Sequence, residues 1–180
     1  MREQNTDIVI AQWTRLGAMF CVHPSDDGPD VERLLLDTVR HAPARSILFT
    51  MAATWLARYA KLVDCARLTT LIADELEPQH RPTMGLLLEW AQSAAESDSF
   101  ADAIAACGAA VDYRPLFDVH RRYPKFAQLA EAEASPLSKK WGRWTTDMEF
   151  KFDALRPEEW VLRHNPQLGR RHAVGRITGS

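Results

Sequence analysis

The residues of this sequence best suited to chemistry are cations without acids nearby. After Glu159 no Asp or Glu occurs, whereas Arg163, Arg170, Arg171 and Arg176 do, together with His164 and His172. Guanidinium groups in such a run neutralise phosphates, and contacts of that kind weaken steeply with salt. Trp141, Trp144 and Trp160 place half of the six tryptophans in the same part of the chain. We therefore expect Arg163, Arg170, Arg171 and Arg176 to contact a partner or nucleic acid, with Trp160 as the anchor. A second set is Arg121, Arg122 and Lys125 beside Tyr113, Tyr123 and Phe126. Cations interleaved with rings hold a backbone phosphate while stacking a base. The plainer alternative is long cations covering a hydrophobic core.

Other constellations carry less. Asp118 and His120 lie two apart, a spacing that points side chains away from each other on a helix, against a carboxylate–imidazole pair. His164 and His172 have Pro166 between them and no third ligand spaced for a metal. Glu149 and Asp153, four apart, read as a solvated acidic face. Cys21, Cys65 and Cys107 are an odd number without a CxxC, the usage of free thiols in a reducing compartment. No phosphate loop, dinucleotide glycine signature, HExxH or GxSxG occurs. We expect no catalytic residue, metal or cofactor.

These residues need elements to place them, and the spacing is helical nearly throughout. Ile8/Val9, Trp13, Leu16 and Phe20 form one stripe. Pro29 and Asp30 suit the start of a second helix through Leu34/Leu35 and Val39. Pro43 is placed to open a third, carrying Ile47/Leu48, Met51/Ala52, Trp55/Leu56 and Tyr59. Asp64 is a cap for a fourth, and Pro82 opens a fifth through Ala91. Ser97 or Ser99 is the expected cap of the next. Pro115 and Pro124 break the pattern before a short helix over Phe126–Glu133. No alternating run or hairpin turn signals a strand. The fold expected is all-α: a multi-helix antiparallel bundle or short helical solenoid over residues 1–135. Residues 136–180 form an aromatic- and Arg-rich segment docked on it through its tryptophans.

Charge follows the same division. Residues 1–100 hold nine Lys/Arg and fourteen Asp/Glu, whereas residues 139–180 hold nine and five. A total of −2 over 180 residues argues against a dedicated nucleic-acid binder while leaving one basic face. The start of the sequence shows no signal-peptide pattern, and the apolar stretch 8–22 is interrupted by Gln12, Thr14 and Arg15. A cytoplasmic protein without a membrane span is the expectation.

The stretch Arg163-His164-Asn165-Pro166-Gln167-Leu168-Gly169-Arg170-Arg171-His172-Ala173-Val174-Gly175 resembles a segment of bacterial winged-helix regulator-like proteins. There, an Asn-Pro-x-Leu-x-x-Arg stretch and a glycine lead from a helical region into the DNA-binding module. The matching positions are Asn165, Pro166, Leu168, Arg171 and Gly175. No winged helix follows in this sequence, so the resemblance implies the helical companion region, serving assembly or ligand sensing.

The function expected is a non-enzymatic helical interaction or assembly module. A protein partner or homo-oligomer would bind its body, and a regulatory, nucleic-acid-associated role would run through the basic end. This predicts that removing 161–180 spares the fold and abolishes partner binding. The alternative is a small helical enzyme or small-molecule sensor with a pocket lined by Trp55, Tyr59 and Trp90.

Overall fold

Two aspartates set the starts of neighbouring helices. Asp30 caps α2 (Val31–His41), its carboxylate accepting from Arg33 N–H at 3.3 Å, and Asp64 caps α4 (Cys65–Glu75) by accepting from Arg67 N–H at 3.0 Å. Pro29 therefore lies just outside α2. The computed structural model describes residues 2–18, 29–110, 112–145 and 149–168. Its fold is all-α. Helix α1 spans Arg2–Arg15, α3 Ser46–Tyr59, α5 Arg81–Ala95 and α6 Ala101–Cys107. Pro43 lies in the turn before α3, and Pro82 occupies the first turn of α5, where its missing N–H costs nothing. Neither Ser97 nor Ser99 caps α6. Their hydroxyls face each other at 3.1 Å, and the side chain of Gln92 takes the Phe100 N–H instead.

Helices α3 and α5 pack together at the centre. Helix α2 lies against α3, α4 and α5, and α6 against α4 and α5. Trp13, Leu16, Leu35, Phe49, Trp55, Leu56, Leu87 and Phe100 are fully buried. Two of these tryptophans satisfy their indole N–H groups internally, Trp13 on Thr38 Oγ1 at 2.8 Å and Trp55 on the Leu16 carbonyl at 2.9 Å. Arg67 bridges Asp30 and Glu32, and Glu32, with no exposed surface, also accepts the Asp64 N–H at 2.9 Å. The pair thus ties the start of α2 to the start of α4.

Beyond α6 the chain makes short pieces: β1 (Arg114–Pro115), α7 (Asp118–Arg121), α8 (Pro124–Ala132), α9 (Pro136–Lys140), β2 (Arg143–Trp144) and α10 (Glu158–His164). Strands β1 and β2 pair in parallel, Arg114 opposite Arg143. This small pairing was not expected, because two residues per strand give no alternation to read. Gly142 precedes β2 at φ +61°, and a Cβ there would meet the Asp112 carbonyl at 2.4 Å, so the approach of the strands requires glycine. No helix among the described residues is long and apolar enough to cross a membrane.

Candidate anion cleft and apolar face

The α2–α3 turn and β1 are joined through α7. The N–H of Asp118 donates to the Pro43 carbonyl at 2.7 Å. Leu116 is fully buried, and Phe117 packs edge-on against Phe49 at 6.5 Å. Rooted in this way, α7 presents two sides to two different surfaces.

On one side lies a cleft of about 520 Å3. It is lined by Arg40, His41 and Arg45 from α2 and the turn after it, His80 from the α4–α5 turn, Arg114 from β1, and Asp118, Arg121 and Arg122 from α7 and its end, with Thr6, Pro43 and Ala44. Several of its cations are fixed from behind. Arg40 donates to Glu77 at 3.1 Å, to Asp37 at 3.0 Å and to the Glu75 carbonyl at 2.8 Å. Arg121 donates to the carbonyls of Pro115 and Leu116 at 2.9 and 3.3 Å and pairs with Asp118 at 3.0 Å. Arg114 pairs with Asp112 at 3.1 Å. Arg45 and Arg122 are exposed and have no ion-pair partner among the described residues.

Behind the cleft sits Arg143, completely buried. It pairs with Asp112 at 2.7 Å and donates to the carbonyls of Asp112, Gly142 and Gln79 at 3.1, 2.9 and 3.0 Å. Burial lowers its affinity for the proton, and the Asp112 carboxylate opposes that shift. Burial also pushes Arg121 down, helped by the like charges of Arg114 and Arg143. His80 is held below its usual value by burial first and then by Arg40, Arg114 and Arg143, with Glu77 pulling the other way.

The other side of α7 is apolar. Val119, His120, Phe126, Leu129, Ala130 and Glu133 line a groove of about 360 Å3 between α7 and α8. Tyr113, Val119, Tyr123, Phe126 and Leu129 are 64, 55, 56, 49 and 51% exposed. The Tyr123 and Phe126 rings meet edge to face at 5.5 Å. Of the set Arg121, Arg122, Lys125, Tyr113, Tyr123 and Phe126, the two arginines reach the cleft while the rings stay in solvent, so this is not a cation layer over a core. Asp118 faces the basic cleft and His120 the apolar groove, which separates the two groups as their spacing implied.

The C-terminal residues divide. Arg163 is exposed on α10. Trp160 is half-buried, stacked on His164 at 4.0 Å with the Arg156 guanidinium 5.8 Å from its ring. Arg170, Arg171 and Arg176 lie outside the described residues, as do Cys21, His172 and Gly175. Val161 and Asn165 have no exposed surface and Leu168 is 1% exposed. The Asn165 amide donates to the Arg15 carbonyl at 3.1 Å, and the Arg156 N–H donates to the Gly17 carbonyl at 2.7 Å. Asn165 of the Asn-Pro-x-Leu stretch thus ties the segment to the end of α1, and Leu168 packs into the core. Removing 161–180 takes away this part of the core.

Trp55, Tyr59 and Trp90 are packing residues at 0, 1 and 8% exposure, and they line neither the cleft nor the groove. Among the described residues no cluster of His, Cys, Asp and Glu is arranged to hold a metal. Cys65 and Cys107 are free thiols, and burial pushes the Cys107 thiol up to about 12, so it stays protonated and unreactive. The cleft was missed in the sequence because its cations come from four separate stretches; only the Arg121-Arg122 pair signalled it. No protein-family model, curated protein or solved structure matches the chain.

Proposed function

We propose that this chain is a non-enzymatic assembly module that pairs with a second copy of itself through α7 and α8. The carrying observation is the apolar face: five of the eight exposed large hydrophobic residues among the described ones fall within 113–129. An exposed cluster of this kind favours association, because each ring leaving water contributes roughly 25 cal/mol per Å2 buried. Charge selects a second copy as the occupant. The face carries Lys125 at its start and Glu131 and Glu133 at its end. A two-fold antiparallel arrangement sets the basic start of one copy against the acidic end of the other. The arginines from Arg163 onward, without acids among them, support nucleic-acid contact as the role of the basic end.

The test is sedimentation velocity over a concentration series of the wild type and of Phe126→Asp/Leu129→Asp. Both side chains are about half exposed, and a thermal melt checks that the variant remains folded. A concentration-dependent dimer that the variant abolishes is the expected result. A wild type that stays monomeric at the highest concentration, or a variant that still dimerises, overturns the reading.

A further inference from the structure

The cleft on the opposite side of α7 holds more positive charge than the fold uses. Six guanidiniums, Arg143 included, share four carboxylates among the described residues: Asp37, Glu77, Asp112 and Asp118. Two positive charges remain. Like charges held close in a partly desolvated space repel one another, and a buried member such as Arg143 makes the arrangement costlier. Arg45 and Arg122 bind no other element together, yet both point their charge at the same space as Arg114 and Arg121. An anion relieves that repulsion.

We infer that this cleft binds a phosphorylated small molecule carrying more than one phosphoryl group. Guanidinium forks match phosphoryl oxygens, and those of Arg40 and Arg121 are already oriented by backbone carbonyls behind them, so little freedom is lost on binding. The cations stand on three sides, at the α2–α3 turn, β1 and α7, which suits charge spread over several phosphoryl groups rather than one. A volume of about 520 Å3 falls in the range of small-ligand pockets. The site is independent of the apolar face, so dimerisation and anion binding stand or fall separately.

Isothermal titration with tripolyphosphate tests it, on the full chain at low and moderate salt, beside Arg45→Ala/Arg122→Ala and Arg45→Lys/Arg122→Lys. Neither arginine is buried or paired within the fold, and a thermal melt checks that both variants remain folded. Saturable binding by the wild type is expected, weakened roughly tenfold or more in the alanine variant and less in the lysine variant. A competing single-stranded oligonucleotide distinguishes the source of the phosphates. Displacement by tripolyphosphate at lower concentration than by the oligonucleotide supports a discrete ligand. An oligonucleotide that binds more tightly makes the cleft a strand groove and overturns the inference, as does absence of binding at low salt or binding that the alanine variant leaves unchanged.

Discussion

The benzene ring of Trp141 occupies the space where a side chain at position 85 would begin. A Cβ on Gly85 would lie 2.2 Å from both Cη2 and Cζ3 of that ring, well inside van der Waals distance. One turn further along α5, Glu89 accepts the Trp141 indole N–H at 2.6 Å and the Lys140 ammonium at 2.6 Å. Gly85 and Glu89 together make a socket in the central helix, and the indole fixes the α9–β2 region upon it. Since β2 carries Arg143, the same packing holds the back of the cleft in place.

Gly85→Ala should therefore destabilise the fold even though alanine is the better helix former. Overpacking a filled site costs about 1–3 kcal/mol, against a propensity gain of roughly 1 kcal/mol. Trp141→Ala should cost about 3–5 kcal/mol. With the ring gone the methyl group has room, so Gly85→Ala in the Trp141→Ala background should be neutral or stabilising. Urea unfolding of the four proteins measures this cycle, and additive effects would remove the steric account.

Arg67 offers a second test. It bridges Asp30 and the fully buried Glu32. Burial pushes the Asp30 carboxyl up, but the hydrogen bonds from Arg67 and the Arg33 N–H outweigh it and hold it below its usual value. Arg67→Ala leaves the Glu32 carboxylate without its guanidinium and should cost about 3–5 kcal/mol. Adding Glu32→Gln removes the stranded charge while keeping an acceptor for the Asp64 N–H, and should recover part of the loss. A double variant no more stable than Arg67→Ala in chemical denaturation would show that the buried charge is not what makes the loss large.

The sequence made local features legible and left the tertiary ones hidden. Asp64 as a cap, Pro82 in a first turn and the stripe through Trp55 and Tyr59 are written within one helical turn of the residues they serve. Gln92 as the acceptor for Phe100 N–H was missed because its side chain reaches past two serines that fit the capping pattern equally well. The socket at Gly85 has no local sign at all: a glycine inside a helical pattern reads as a weak point until the ring that requires it is in place. The cleft was hidden in the same way. Arg40, Arg45, His80 and Arg114 are each ordinary surface residues in sequence, and only the meeting of two turns, one strand and α7 makes them a site with Arg121 and Arg122. The eye is drawn instead to the acid-free end of the chain, where contrast with the neighbouring sequence is strongest.

His80 gives the cleft a pH dependence whose direction follows from its surroundings. It is held below its ordinary value of 6.5 by burial and by Arg40, Arg114 and Arg143 against the single pull of Glu77. The unfolded chain therefore binds the proton more readily than the folded one as pH drops through about 6.5. Stability present above that value is lost on acidification, until pH falls below the folded value of His80. His80→Gln should show a smaller loss than the wild type between neutral and mildly acidic pH, measured as the difference between their melting temperatures in the two conditions. Tripolyphosphate in the cleft reverses the sign for this group, because an anion favours the imidazolium. In its presence the wild type should take up protons on binding near neutral pH, seen as a buffer-dependent heat that His80→Gln lacks. Parallel pH profiles for the two proteins would remove His80 from the account.

The end of the chain must be cut in the right place to learn what its arginines do. Val161, Asn165 and Leu168 are core residues, and Asn165 bonds the end of α1. A protein ending at residue 160 lacks this packing together with the last turn of α10, and its urea midpoint should fall markedly. A protein ending at Leu168 keeps it and should melt close to the full chain. That shorter truncation removes Arg170, Arg171 and Arg176 while leaving Arg163 and Trp160, so it isolates the basic end from the fold. Fluorescence anisotropy of a labelled duplex across a salt series then reads the end alone. If these arginines neutralise phosphates, affinity should drop, and the slope of log K against log salt should shrink by about 0.9 for each phosphate left without its arginine. An unchanged slope would place whatever duplex binding the chain has elsewhere, with Arg163 or the cleft, and Arg45→Ala/Arg122→Ala distinguishes those two.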